Sequence, residues 1–139
     1  LMKPFREGLY ASAAYLAEHG TPKLPTDLHQ HQLIGYRFIT NNRILPLMLE
    51  DKEEQLTVEW PGQLISNDID VMADGIRSGL GIGRMFEPVY ELQPDKEQFI
   101  PVMTPYWKIY PPVYLYYLKS TGKANRVKAL IDFLIMKTK

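Results

Sequence analysis

The sequence predicts an α/β fold, in which a mixed sheet is flanked by helices. The main observation is a strand–helix–strand pattern: Gln63–Ile65 favours a strand, and Ile69–Leu80 places apolar residues at helical spacing. After this helix, apolar residues recur in the alternating pattern of a strand up to Met85. Short joints between such elements are typical of parallel strands joined by a right-handed crossover. A second observation is that strand-like and helical segments also alternate on either side of this unit.

The central helix has clear signals at both ends. Ser66, Asn67 and Asp68 can each accept hydrogen bonds from the first helical turn, and Gly79 stands where a left-handed C-cap is needed. The turn into this helix also places free N–H groups at the carboxyl end of a strand, where open α/β sheets bind ligands. A ligand site and a satisfied cap without a ligand both fit the pattern.

The spacing Gly79-x-Gly81-x-Gly83 is superficially that of a nucleotide-binding loop. A phosphate-binding loop follows a strand and opens a helix, whereas these glycines follow a helix and open a strand. The order therefore argues against a nucleotide site.

The segments before the central unit predict further alternating elements. Strands are expected at residues 9–11, 33–38, 44–49 and 55–59, and helices at 13–18 and from residue 25. Ser12 and Gly20 suit the two ends of the first helix, and Asn41-Asn42 suits a turn. Residues 50–54 form a solvated hairpin tip, and residues 60–62 form a turn.

The segments after the central unit predict the rest of the fold. A short helix is expected at 86–92, and Pro101 makes 98–102 an edge strand. Residues 113–118 are apolar on both faces, which predicts a buried strand. Residues 127–135 form a helix with a wide apolar face. The aromatic residues at 106–110 favour packing of a crossover over stacking on a base.

Composition excludes several classes of function. The chain has 139 residues, and its 16 basic residues equal its 16 acidic residues, which argues against phosphate-backbone binding by this segment alone. Its lack of cysteine excludes disulfides and thiolate sites, and its apolar runs are too short to span a membrane. No signal segment opens the chain. The start at Leu1-Met2 suggests a piece of a longer protein.

Titratable side chains provide only weak indications of a chemical site. His19, His29 and His31 lie close together in the sequence, but helix-end and loop positions favour surface or capping roles over a metal site. Aspartates at 68, 70 and 74 fit structural roles at a helix start and outer face. Arg37 and Arg84 lie near strand ends and could clamp a carboxylate, although plain surface placement fits as well. No catalytic motif is present, so an enzyme is not expected.

Four segments in register together resemble one family. These are YASAAYLAEHGTP at 10–22, PTDLHQHQLI at 25–34, Asn67-Asp68 with GIRSGLGIG at 75–83, and VKALIDFL at 127–134. They resemble the corresponding stretches of LysR-type transcriptional regulators. The chain departs from that pattern at Ala13, where proline is usual, and near residues 44–48, where a tryptophan is common.

The resemblance implies a fold and a domain organisation. It implies an effector-binding domain with the type II periplasmic-binding-protein fold, of which this chain is a fragment. Residues 1–9 would be the inter-lobe linker, and residues 10–105 the second lobe. Residues 106–139 would be the crossover, strand and last helix of an incomplete first lobe.

The resemblance also implies a function. The chain would sense a small-molecule effector by closure of two lobes, within a cytoplasmic regulator that contacts DNA only through a missing N-terminal domain. No cofactor, metal or membrane is expected, and a homo-oligomer is. A solute-binding protein or an enzyme on the same fold is the alternative. The expected effector-binding residues are Gly35, Tyr36, Arg37, Ser66, Asn67, Asp68 and Ile69.

Two further expectations concern the ligand and the assembly. Asp68 and Asp70 bring negative charge to the helix start, which favours a neutral or amino-bearing effector unless Arg37 compensates. If the other first-lobe strands are absent, residues 113–118 and the last helix lack cover, and the fragment should self-associate through them.

Overall fold

A computed structural model describes residues 1–58, 62, 64–120 and 124–138. The chain divides into two compact units. The larger unit is the continuous segment Arg6–Lys108, and the smaller unit combines Leu1–Phe5 with Ile109–Lys139.

The helices and strands alternate along the chain, as the sequence predicts. In order they are β1 (Phe5–Ala11), α1 (Ala13–His19), β2 (Ile34–Tyr36), β3 (Leu47–Asp51), β4 (Glu54–Val58), β5 (Leu64–Ser66), α2 (Ile69–Arg77), β6 (Gly83–Phe86), α3 (Glu87–Glu91), β7 (Ile100–Val102), β8 (Lys108–Tyr110) and α4 (Asn125–Lys137). Short 3-10 helices occur at Pro25–Gln30, Lys96–Gln98 and Thr104–Tyr106. The mixed α/β fold class is therefore confirmed.

The main sheet of the larger unit is antiparallel. β1 lies between β6 and β7 and pairs antiparallel with both. Because side chains alternate across a strand, Leu9 and Tyr10 point to opposite faces of this sheet. Leu9 belongs to one apolar cluster with Leu33 and Ile82, whereas Tyr10 belongs to a second cluster with the helix α2. The sheet thus has a buried core on each face.

The predicted strand–helix–strand unit is present. β5 runs parallel to β2, and Ile82, just before β6, forms a parallel bridge with Leu33, just before β2. β5 and the start of β6 therefore share the direction of β2. A separate antiparallel hairpin joins β3 to β4.

The predicted helix ends are confirmed by their hydrogen bonds. The Ser12 hydroxyl accepts from the Tyr15 N–H at the start of α1, and Gly20 ends that helix with φ of 81°. At the end of α2, Gly79 has φ of 74°, and Leu80 N–H donates to the Gly75 carbonyl. This bond pattern closes the last turn of α2 as a left-handed cap does.

Gly81 is required by the close approach of two chain segments. A Cβ atom at this position would lie 2.6 Å from the Gln32 carbonyl oxygen. That carbonyl accepts from Ile82 N–H at 2.9 Å, which fixes the distance between the segments. The glycine spacing that resembles a nucleotide loop therefore has a structural explanation.

The prediction of a buried strand at residues 113–118 is wrong. Val113 makes one isolated antiparallel bridge with Met2, and the residues after it form no regular strand. Tyr116 is 86% exposed and Tyr114 63% exposed. A strand needs neighbours for its N–H and C=O groups, and within the described part of the smaller unit only Met2 pairs with this segment in a bridge.

The remaining predictions need small adjustments. The strand expected from residue 44 begins at Leu47, and the apolar side of α4 stays largely exposed, with Leu130 at 56%. The turn predicted at residues 60–62 lies outside the described residues except for Gly62. None of the helices that the structure describes is long and apolar enough to span a bilayer.

Candidate functional site

The carboxyl ends of β2 and β5 lie side by side at the start of α2. Tyr36 is the register partner of Ser66, and Arg37 N–H donates to the Ser66 carbonyl at 3.0 Å. Parallel pairing brings equivalent ends of the strands to one edge. Because Asn67 to Ile69 follow β5 directly, all seven residues that the sequence singled out lie along this edge.

The start of α2 is capped by the chain itself. Asp68 Oδ1 accepts from Asp70 N–H at 2.8 Å and from Val71 N–H at 3.3 Å. The Ser66 hydroxyl accepts from Asp68 N–H at 3.0 Å. Asp68 thus has the capping role that the sequence left as one of two alternatives, and Ser66 supports it by accepting from the Asp68 N–H.

A cavity of about 640 Å³ opens on one side of this edge. It lies between β2, the segment 42–47 that leads into β3, and β6. Gly35 and Arg37 are the two sequence-predicted site residues that line it. Its full wall consists of Leu9, Leu33, Ile34, Gly35, Arg37, Asn42, Arg43, Ile44, Leu45, Pro46, Leu47, Val58, Ile82 and Arg84. We call it the larger cavity.

A second cavity of about 300 Å³ lies next to α2. Tyr36 and Ile69, two more of the predicted residues, line it. Its other wall residues are Glu7, Phe38, Leu45, Met72, Arg84, Met85, Phe86 and Val89. We call it the smaller cavity. Ser66, Asn67 and Asp68 line neither cavity.

Arg84 stands in the walls of both cavities. Its guanidinium donates to the backbone carbonyls of Leu45 and, at 3.0 Å, Pro46. Its Nη1 atom also lies 3.8 Å from Glu7 Oε1, and both side chains are buried. Arg84 therefore attaches the segment before β3 to the main sheet.

Glu7 is a buried acid that the sequence analysis missed. Burial raises the pKa of its carboxyl, while the positive charges of Arg84 and Lys108 act in the opposite direction. Had the first strand been predicted to start at Phe5, alternation would have placed Glu7 on the same buried face as Leu9. A carboxylate on the core face of a strand would then have been the signal.

The histidines do not converge on a metal site. His31 Nδ1 lies 2.8 Å from the Tyr15 hydroxyl, and the His19 ring stacks on the Tyr15 ring. Burial, and then the charge of His19, lower the pKa of His31. Within the described ranges, no three histidine, aspartate or glutamate side chains are grouped as metal ligands.

Comparison with known families gives one match over almost the whole chain. Residues 4–138 match the model described as "LysR substrate binding domain". A putative transcriptional regulator of Pseudomonas aeruginosa is 29% identical over 131 residues, which are 94% of this chain and 43% of the relative. The probable HTH-type transcriptional regulator LtrA of Klebsiella pneumoniae is 28% identical over 96% of this chain and 43% of its own length. The chain thus spans less than half the length of these curated relatives.

Solved structures show the same fold. The full-length virulence activator AphB of Vibrio cholerae superposes with a TM-score of 0.80 at 24% identity, over 99% of this chain and 46% of that protein. The LysR-type regulator CrgA of Neisseria meningitidis gives a TM-score of 0.76 at 21% identity, over 99% of this chain and 46% of that protein. The type II periplasmic-binding-protein-like fold is therefore confirmed.

Proposed function

This chain belongs to the LysR substrate-binding domain family, and from that premise we propose that it senses a small-molecule effector for a DNA-binding transcriptional regulator. The observation that carries the proposal is the edge formed by β2, β5 and the start of α2. Two cavities lie along this edge, and four of the seven predicted residues line them. Ligand sites of open α/β sheets lie at such strand ends.

The proposal extends to the whole protein. Its relatives are named as transcriptional regulators, which supports a non-enzymatic role in the cytoplasm and DNA contact through a part outside this chain. Residues 1–9 would link the lobes, residues 10–105 would form the second lobe, and residues 106–139 would contribute a part of the first. Effector binding would close the lobes and so change the DNA-bound state.

A thermal-shift screen of the intact regulator against a small-metabolite library tests the sensing role. Compounds that bind should raise the melting temperature of the wild type, since a ligand that prefers the folded state stabilises it. The same compounds should have less effect on at least one of two site variants, Arg37→Ala in the wall of the larger cavity and Ile69→Trp in the wall of the smaller one. Glu18→Gln, an exposed change on α1, is the matched control.

Two results of this screen would contradict the proposed site or the sensing role. Stabilisation that is the same in the wild type and in both site variants would place binding elsewhere. A library that stabilises none of these proteins would contradict effector sensing by this domain.

Self-association of the isolated 139-residue chain is a separate part of the proposal. Tyr114, Tyr116 and Tyr117 expose apolar rings, and Phe133 of α4 is 49% exposed within the same unit. Exposed apolar side chains of this kind favour association between copies. Light scattering should show a mass above the monomer that falls in Tyr116→Lys. A monomer at high concentration, unchanged by that substitution, would refute it.

A further inference from the structure

We propose that the larger cavity binds the carboxylate of an effector whose remaining body is apolar. This inference rests on the proposed function and specifies its ligand. Three arginines line the cavity, namely Arg37, Arg43 and Arg84. Among the residues that the structure describes, no carboxylate lines it. A cavity whose described wall carries three positive and no negative side chains attracts an anion.

The three arginines have different roles. Arg43 is exposed, and its guanidinium makes no hydrogen bond or ion pair with any residue in the described part of the chain. Arg37 Nη1 donates to Asn42 Oδ1 at 3.1 Å, which orients the side chain along the cavity wall. These two are the groups that would bind the carboxylate directly, because a guanidinium pairs with both carboxylate oxygens.

Arg84 would act through its charge and position. Its side chain is only 9% exposed, and it donates to the carbonyls of Leu45 and Pro46. Glu7, at 3.8 Å, offsets part of its charge from the side of the smaller cavity. Arg84 thus holds the wall in place and contributes a fixed positive charge to it.

The rest of the wall defines the body of the ligand. Leu33, Ile34, Ile44, Leu47 and Ile82 provide an apolar surface, and 640 Å³ is within the range of small-molecule sites. The smaller cavity offers a contrast, since among the described residues of its wall the one acid, Glu7, accompanies the one cation, Arg84. A carboxylate is therefore expected to prefer the larger cavity.

The larger cavity favours an anionic effector, whereas the helix start alone favours a neutral or amino-bearing one. Asp68 and Asp70 disfavour an anion near their own carboxylates, but neither lines the larger cavity. Arg37 does line the larger cavity, so its positive charge can compensate there for the negative charge of an effector, as the sequence analysis required for an anionic ligand.

The test compares 3-phenylpropanoate with 3-phenylpropanamide, a pair that differs in charge but hardly in shape. Calorimetry on the 139-residue chain should show the carboxylate binding about tenfold more tightly than the amide, as expected for one charge-assisted interaction. Arg37→Gln and Arg43→Gln should each remove most of that difference and leave the amide unchanged. Arg126→Gln on α4 also removes one positive charge and is the matched control.

Three calorimetric results would contradict carboxylate binding in the larger cavity. Equal binding of acid and amide, or acid binding that neither glutamine variant weakens, would overturn the inference. Absence of binding by both probes would overturn it as well. None of these results refutes effector sensing, because the thermal-shift screen decides that separately.

Discussion

Tyr15→Phe should destabilise the larger unit by about 2 kcal/mol at pH 8. The Tyr15 hydroxyl accepts from the Gln32 N–H at 3.0 Å and lies 2.8 Å from His31 Nδ1. Because that hydroxyl already accepts from Gln32, its own proton is available for the unprotonated Nδ1 of a neutral His31. Tyr15 is 2% exposed and His31 8% exposed, so both partners lose a bond where water cannot easily replace it.

The magnitude follows from these two bonds. A neutral hydrogen bond contributes roughly 1 kcal/mol net, and a buried partner left unsatisfied costs about 1–3 kcal/mol. Gln32 is only half-buried, so the cost of leaving its N–H unsatisfied lies at the low end of that range. Phenylalanine retains the ring that stacks on His19, so only a small cavity is added.

The effect should shrink on acidification. Burial lowers the pKa of His31, so the folded state favours its neutral form. The resulting stabilisation is present above the unfolded pKa of about 6.5 and is lost as the pH falls through the folded value. Once His31 is protonated, its Nδ1 no longer accepts from Tyr15, so Tyr15→Phe then lowers the free energy of unfolding by a smaller amount.

Urea unfolding followed by tryptophan fluorescence at pH 8 and pH 5 measures both effects, since Trp107 is buried. Tyr90→Phe is the matched control, because the Tyr90 hydroxyl makes no hydrogen bond with residues in the described ranges. A loss below about 0.5 kcal/mol at pH 8, or one equal to that of the control, would refute this reasoning. A loss that grows on acidification would refute the assigned direction of donation.

Three other substitutions test separate features of the fold. Asp68→Ala should lower the free energy of unfolding in urea by about 1 kcal/mol, because it removes the cap of α2. Asp68→Asn keeps a side-chain oxygen and should retain most of the wild-type stability, so equal losses in the two variants would contradict the capping role. Gly81→Ala should cost roughly 1–3 kcal/mol, because its Cβ would meet the Gln32 backbone; an unchanged melting curve would show that the segments separate freely. Burial raises the pKa of Glu7, so lowering the pH from 7.5 towards 4.5 should stabilise the wild type relative to Glu7→Gln; a constant difference between their unfolding free energies would contradict the raised pKa.

The sequence predicted best what local interactions decide. The caps at Ser12, Asp68 and Gly79 depend on a few adjacent residues, and each is confirmed by its own hydrogen bonds or dihedral angle. The edge formed by β2 and β5 was also predictable, because parallel strands bring their carboxyl ends together. The binding role of that edge stays a prediction.

The features that sequence reasoning missed depend on distant contacts. Glu7 and Arg84 are 77 positions apart in the sequence and meet only because β1 pairs with β6. The larger cavity depends on the carbonyls of Leu45 and Pro46 reaching Arg84, which no local pattern specifies. The strand expected at residues 113–118 was wrong because composition indicates a preference for pairing but not whether a partner strand is available.

The shared position of Arg84 has a thermodynamic consequence for the two cavities. Arg84 forms part of both walls, as Leu45 does, so an occupant that shifts Arg84 on one side alters the cavity on the other. Linkage then requires reciprocity: whatever factor one ligand imposes on the affinity of a second, the second imposes on the first. The sign and size of that factor can be read by titrating 3-phenylpropanoate with and without an apolar ligand of the smaller cavity. Two adjacent binding sites that share the Arg84 guanidinium would thus respond to a combination of ligands.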